Sequence, residues 1–587
     1  MLLGLAVRGP VMAGGFAADD YGQIAMADGT FPVSRDAWSR FTFVSGDGQE
    51  AQRMREHGFL PWWSGDGLRL SVLRPLPSLL IGADRALFGN EPLPYHLHSL
   101  LWWLCLCAAV AALLHALLPA SAARLALLIY VLDESHTLPL GWLANRNSVL
   151  ASLFAVLALR RYLAMQRTGS LRDGLLCAAL YSMSCLSGEY ALAFLGYFAA
   201  LSLLGPAAAP AQRLRTLWPV ALPAALFLVA RTAVGGGTRG SESAIEPFDR
   251  PIEFLAALPE RAGVLWTEAM FAVRTDAWGD VSAVAQGLLG GEGALSPPAL
   301  RALMVTTGVA GLALLLLCAR TWRRPDTSTS GRGAGLGRVM AIGALWSTIP
   351  MCATLPAGRN LLAAQLGIAI VVATLLAEAW RRTAAWRSQR PPALLLAAAA
   401  LLFATQLIAA PLSAWGRSVE LRNYGQDTHR AVLALGGLGA GSPAQRVYVL
   451  QASDPTLMLY PALIRRQYGR VHPRAIYTLN GSRQPIVVRR TDASTLLLSH
   501  PQGEPMLSDP FELVFRRADA LLRPGTLARL PGLRVEALEV SEGRPTVVRF
   551  RFDHDLDDPD VVLLRQHGID LVRVVPPAIG HYVRVQH

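Results

Sequence analysis

Three unbroken apolar runs constrain this chain more than any other feature: LWWLCLCAAVAALLHALL (101–118), ALMVTTGVAGLALLLLCA (302–319) and ALLLAAAALLFATQLIAA (393–410). Each approaches the ~20 residues that cross the hydrocarbon core of a bilayer. In lipid such a run can satisfy its backbone only as a helix. Hydrophobic residues make up 52% of the 587-residue chain, more than a soluble domain needs. Further runs predict spans near 1–15, 96–118, 121–139, 143–160, 174–187, 189–204, 216–234, 301–320, 338–356, 361–380 and 391–412. The expected fold class is a polytopic α-helical membrane protein with about eleven transmembrane helices.

The charge pattern orients these helices. The formal net charge is +12, and every basic residue is Arg, with no Lys anywhere. Schiff-base and P-loop lysine chemistry are therefore excluded. The Arg residues cluster in short connections at 160–172, 212–215, 320–338 and 381–390. The positive-inside rule makes these cytoplasmic, and eleven spans place all four on one side. The basic balance thus reads as membrane orientation, with no nucleic-acid partner. The N-terminus is then inside, and 16–95, 235–300 and 413–587 lie outside. The apolar opening is a short first span rather than a signal peptide, because Arg8 interrupts it and no charge precedes it. Its shortness is what a start lying further upstream would leave. All six cysteines fall in or beside apolar stretches, so neither a disulfide framework nor a cysteine metal spacing is expected.

Beyond residue 420 the chain changes character. RVYVLQ, QPIVVRR, STLLLSH, FELVFRR, LRVEALEV, TVVRFRF and DLVRVV are short, rich in β-branched residues, and bounded by turn formers. They predict a β-rich or α/β extracytoplasmic domain over 413–587, behind a membrane domain over 1–412. Within the first external loop (16–95), SVLRPLPSLLIGADRALFG predicts a helix lying along the membrane surface. It is expected to cover Asp19 and Asp20 of GGFAADDYGQIA.

Those two acids begin the first external loop, and other polar groups collect at the same depth: Glu134, His136, Asn145, Arg146, Glu189 and Arg359. Ionisable groups at membrane depth are costly and usually face a cavity or a partner. Singly, each has an ordinary explanation. An acid can flank a helix, an Arg can snorkel to headgroups, and a Glu can favour a helix N-terminus. Together they point to one external pocket.

Several stretches resemble the GT-C glycosyltransferases, in particular the protein O-mannosyltransferase-like branch. GGFAADDYGQIA is similar to its acidic pair after the first helix. LRPLPSLLIGADRALFGNEPLPYHLHSLL (73–101) resembles its amphipathic loop segment. DESHTLPLGWLANRNSVLASLF (133–154) resembles its His motif, LSGEYALAF (186–194) its Lys-Glu position, and AGRNLLAAQLG (357–367) a late Arg motif. The resemblance covers 1–380. Asp133 stands where a Pro is usual, Asn145 where a Gly is, Gly188 where a Lys is, and His98-Ser99 where an Asn is common.

The resemblance implies transfer of a sugar from a polyprenyl-phosphate donor to a hydroxyl acceptor, protein or glycan, at the outer face of the cytoplasmic membrane, with inversion. Under it, Asp19 or Asp20 is the general base. Arg74, His96, Arg146 and Arg359 meet the donor phosphate, and Glu134, His136, Asn145 and Glu189 shape the pocket. It implies no cofactor and requires no metal, a divalent ion staying open. The expected partners are the lipid-linked sugar, the acceptor and membrane lipids. A flippase for a lipid-linked glycan and a non-catalytic envelope scaffold are the alternatives.

Overall fold

A computed structural model describes residues 1–204, 214–288, 294–320, 336–385, 392–435, 446–473 and 475–586. The basic stretches 212–215, 320–338 and 381–390 lie in whole or in part outside the described residues. Every predicted apolar run forms a helix. Five helical stretches are long and apolar enough to cross a membrane: Pro92–Leu117, Leu143–Thr168, Pro297–Cys318, Gly358–Ala384 and Ala393–Ala434. Shorter apolar helices join them at Leu2–Ala13, Ala120–Leu132, Ala191–Leu204 and Trp218–Ala233. With its β-rich C-terminal region, the chain is a polytopic helical membrane protein.

Local chemistry explains several boundaries. The run 174–204 is two helices, Leu171–Leu186 and Ala191–Leu204, broken where Gly188 takes φ +122°. Only glycine adopts that backbone freely. Arg8 is buried inside the first helical stretch. Its guanidinium donates to the carbonyls of Val131 (2.6 Å) and Asp133, at the end of helix Ala120–Leu132. A helix end leaves such carbonyls without intrahelical partners, so the cation neutralises what the membrane would not tolerate. Helix Ala191–Leu204 approaches Leu336–Met351 closely because a Cβ on Gly196 would lie 2.9 Å from the Gly343 carbonyl oxygen. Small residues at such crossings are the usual means of close helix packing in lipid.

The last apolar run does not stop at 412. Ala393–Ala404 passes through a π-helical turn, Thr405–Ala409, into Ala410–Ala434, one helical stretch reaching the C-terminal region. That region holds two sheets. One has six antiparallel strands in the order Tyr582–Val585, Ile486–Asp492, Thr495–Ser499, Arg544–Phe552, Leu533–Ser541 and Leu527–Leu530. The other has four in the order Asp570–Val574, Val561–His567, Arg446–Val449 and Ile476–Thr478, with parallel pairing across its last three. Six of the seven predicted strand segments form strands. FELVFRR does not: it contains the 3-10 turn Glu512–Val514. The fully buried Glu512 carboxylate accepts the backbone N–H groups of Gly481, Ser508 and Asp509 at 3.1–3.2 Å, holding the segment as a turn.

The segment 16–95 has no independent core. Phe16, Tyr21, Trp62 and Trp63 pack into one apolar cluster with Val447 and Leu479 of the C-terminal region. The indole N–H groups of Trp62 and Trp63 donate to the Leu479 (2.9 Å) and Glu512 (3.2 Å) carbonyls. A three-stranded sheet, Thr42–Ser45, Arg69–Ser71 and Gly237–Arg239, joins the first loop to the second. The predicted surface helix forms at Pro75–Phe88 and packs on helix Asp19–Ala27.

Candidate functional site

The acidic pair opens helix Asp19–Ala27, where the N-terminal dipole favours negative charge. Ala18, just before it, has φ +43° and ψ −114°, a conformation costing a non-glycine residue of order 1–3 kcal/mol. Its N–H is held by the Thr456 hydroxyl at 3.2 Å. The turn sends the two carboxylates in different directions. Asp20 is buried and fully engaged: one oxygen accepts the Ala17 N–H (3.0 Å), the other the Ala144 N–H (2.8 Å). Burial pushes it up to about 7 against these donors. Asp19 is half-buried, with Oδ1 accepting the Tyr460 hydroxyl at 2.6 Å. Burial raises its pKa, while Tyr460, Arg359 and Arg74 pull it down.

Those two arginines are held from separate elements. Arg74 follows strand Arg69–Ser71 and immediately precedes helix Pro75–Phe88. Its guanidinium lies 5.0 Å from the Phe41 ring centroid and 3.7 Å from Glu189. A Cβ on Gly188 would come within 2.8 Å of Arg74 Cγ, so the glycine in LSGEY makes room for this side chain. Glu189 also accepts from Arg231 (3.1 Å), which in turn pairs with Glu246 (2.7 Å). Arg359 lies on the turn Gly358–Leu361, its guanidinium 5.0 Å from the Trp142 ring centroid. The Tyr190 hydroxyl holds the Arg359 carbonyl at 3.2 Å. Gly358 is wedged between the carboxyls of Glu134 and Glu268, which a Cβ would strike. Burial and the neighbouring Glu134 push Glu268 well above the ordinary carboxylate range. Arg417 completes this support at 3.3 Å from Glu134.

Asp19, Arg74, Arg359 and Glu189 therefore form one group, with Glu134 supporting its Arg359 turn. The other sequence candidates stand apart. Arg146 is enclosed, donating to Asp84 (2.5 Å), Ser99 (2.8 Å) and the Tyr95 carbonyl (3.0 Å). It ties the surface helix to helix Pro92–Leu117 and has its donors committed to the fold. His96 is buried against the Gly15 carbonyl at 3.4 Å. His136 accepts the Trp103 indole N–H at 3.1 Å and packs edge-on to Tyr130. Asn145 precedes helix Arg146–Thr168 as its N-cap residue.

Sequence reading missed Tyr460, Trp142 and Glu268. A lone Glu in the apolar stretch LWTEAMF was a usable signal for the last. Tyr460 carries none, since it lies 441 residues from Asp19. Among the described residues no cluster of three or more His, Cys, Asp or Glu side chains could hold a metal.

The sequence matches no protein-family model. No curated protein matches it either. Solved structures resemble it distantly. The oligosaccharyltransferase of Archaeoglobus fulgidus, in the apo form, has 13% identity and a TM-score of 0.38 over 81% of this chain and 63% of that one. The chain thus matches under two thirds of that protein's length. ArnT from Cupriavidus metallidurans bound to undecaprenyl phosphate has 16% identity and a TM-score of 0.31, over 83% of this chain and 91% of that one. Its apo state gives 16% identity, a TM-score of 0.32 and the same coverages.

Proposed function

We propose that the protein is an integral-membrane glycosyltransferase that moves a sugar from a polyprenyl-phosphate donor to a hydroxyl acceptor. The observation carrying this reading is a half-buried carboxylate, Asp19, within electrostatic range of two arginines: Arg74 before the surface helix and Arg359 at the start of an apolar helix. A base and a cation pair are what such a transfer needs. Asp19 takes the acceptor hydroxyl proton as the acceptor oxygen attacks the anomeric carbon. The bond from that carbon to the phosphate oxygen breaks, and its electron pair leaves with the phosphate. Arg74 and Arg359 meet the charge that develops there. Attack opposite the leaving group inverts the anomeric centre.

The reaction side is proposed to be the outer face of the cytoplasmic membrane, with the N-terminus inside and the C-terminal region outside. Two helices support this. Arg146–Thr168 begins just after Ala144, whose N–H donates to Asp20, and Gly358–Ala384 begins at the Arg359 turn; they carry Arg160, Arg161 and Arg167, or Arg381 and Arg382, towards their far ends. At ~1.5 Å per residue the far end is about a membrane thickness away. The positive-inside rule makes that end cytoplasmic.

The test is purified protein in liposomes with a radiolabelled polyprenyl-phosphate sugar and a pool of envelope acceptors. Release of free polyprenyl phosphate coupled to labelled acceptor, lost in Asp19→Asn, is the expected result. Movement of intact donor across the bilayer without cleavage would replace this reading by a flippase.

A further inference from the structure

We propose that Tyr460, supplied by the C-terminal region, is a positioning residue for the Asp19 carboxylate, so that the site is complete only when that region is docked. This rests on Asp19 being the base of the proposed transfer.

The contact is built from both sides. Tyr460 is 1% exposed, and its hydroxyl donates to Asp19 Oδ1 at 2.6 Å. It stands between two short helices, Pro455–Leu459 and Pro461–Gln467. Asp454 caps the first of these through the N–H groups of Thr456 (2.8 Å) and Leu457 (3.0 Å). Thr456 then reaches back to the Ala18 N–H, and Tyr424 of helix Ala410–Ala434 meets the Thr456 hydroxyl at 2.7 Å. On the other side, Gly22 lies one helical turn beyond Asp19. A Cβ there would stand 3.1 Å from Tyr460 Cε1 and 2.9 Å from Phe43 Cε1. The glycine in DDYG is thus the space into which the tyrosine ring fits, and Phe59 closes its edge at 5.7 Å.

The chemistry follows from which group donates. Burial and the neighbouring Asp19 raise the phenol far above its ordinary value, so Tyr460 stays protonated and acts as donor. A donor on one carboxylate oxygen favours the ionised form and fixes the rotation of the group. Oδ1 is occupied, and Oδ2 is the oxygen left to face an acceptor hydroxyl. The other charged groups facing Asp19 are Asp20 on its own helix, Arg74 before the surface helix and Arg359 on its turn. Tyr424 stands behind Tyr460. Tyr460 alone among these comes from the C-terminal region and hydrogen-bonds the base.

The experiment reads Asp19 in two ways in the full-length protein: by infrared titration, as the wild-type minus Asp19→Asn difference, and by the pH profile of transfer. Tyr460→Phe keeps the ring and removes the donor. It should move both titrations upward by about one pH unit and lower kcat about tenfold at the acidic end, with donor KM unchanged. A fluorotyrosine at position 460, a stronger donor, should move both downward. Opposite shifts from these two replacements cannot come from misfolding. An Asp19 titration unmoved by either replacement overturns the inference and leaves the transferase reading standing. Wild-type protein that releases no polyprenyl phosphate overturns the transferase reading, and with it the catalytic role of Tyr460, even if the titrations shift.

Discussion

Asp19 and Asp20 are neighbours with opposite employment. Asp19→Asn removes the proposed base while its amide oxygen can still accept the Tyr460 hydroxyl, so transfer should fall by about two to four orders of magnitude. Membrane level and melting temperature should stay near wild type. Asp20→Asn replaces an acceptor of two buried N–H groups by a side chain able to accept through one atom only. It should destabilise by about 1–3 kcal/mol, seen as a lower melting temperature in detergent, with activity falling alongside. Equal melting temperatures for the two variants would contradict this division. The pH profile follows from Asp19 being raised by burial. A raised acid stays protonated further up the scale, and only the ionised form accepts a proton. Transfer should therefore increase with pH through an acidic limb lying above the ordinary carboxylate value of ~4. A limb at or below that value would remove Asp19 as its source.

The elements that carry the site are locked by close approaches rather than by propensity. Arg146 and Asp84, both buried, clamp the surface helix Pro75–Phe88 to the span behind it. Arg146→Ala leaves the buried Asp84 with His98 (2.6 Å) as its remaining side-chain partner and should cost about 3–5 kcal/mol, measurable as loss of folded protein. Arg359→Ala, which breaks no ion pair among the described residues, should leave the fold intact and raise donor KM. Substrate kinetics on purified protein separate the two: similar folding defects in both would erase the distinction between a structural and a phosphate-facing arginine. Gly358 adds a second check on the same turn. An alanine there would strike the Glu134 and Glu268 carboxyls, so Gly358→Ala should weaken donor use as Arg359→Ala does, although it changes no charge.

For the whole molecule, the shared core decides behaviour. First-loop residues Trp62 and Trp63 are buried with C-terminal residues, so the two regions fold together. A chain ending at Leu435, the C-cap of helix Ala410–Ala434, should lose both Tyr460 and the loop core. Protease digestion of membranes containing it should cut beside Trp62 and Trp63, which are buried in the full chain. Survival of the chain there would show that the loop holds itself. A phosphatase fused to the C-terminus should be active and a cytoplasm-dependent fluorescent fusion dark; the reverse would place Asp19 on the wrong side for a lipid-linked donor.

The sequence by itself determined what depends on solvent and on neighbours along the chain. Lipid forces apolar runs into helices, so every run from 1–15 to 391–412 could be read directly. Alternating β-branched segments betrayed most of the C-terminal strands, and membrane depth collected Asp19, Asp20, Glu134, His136, Asn145, Arg146, Glu189 and Arg359. It could not divide structural from chemical roles within that set. Arg146 and Arg359 look alike in one dimension, each at the start of an apolar helix. Only packing encloses one in Asp84, Ser99 and Tyr95 and leaves the other on the face of Trp142. Nor could it find Tyr460, because a hydrogen bond across 441 residues has no local period or spacing to betray it. Only the tertiary structure decided which of these groups are enclosed, because the partners that occupy a side chain's donors and acceptors come here from distant parts of the chain.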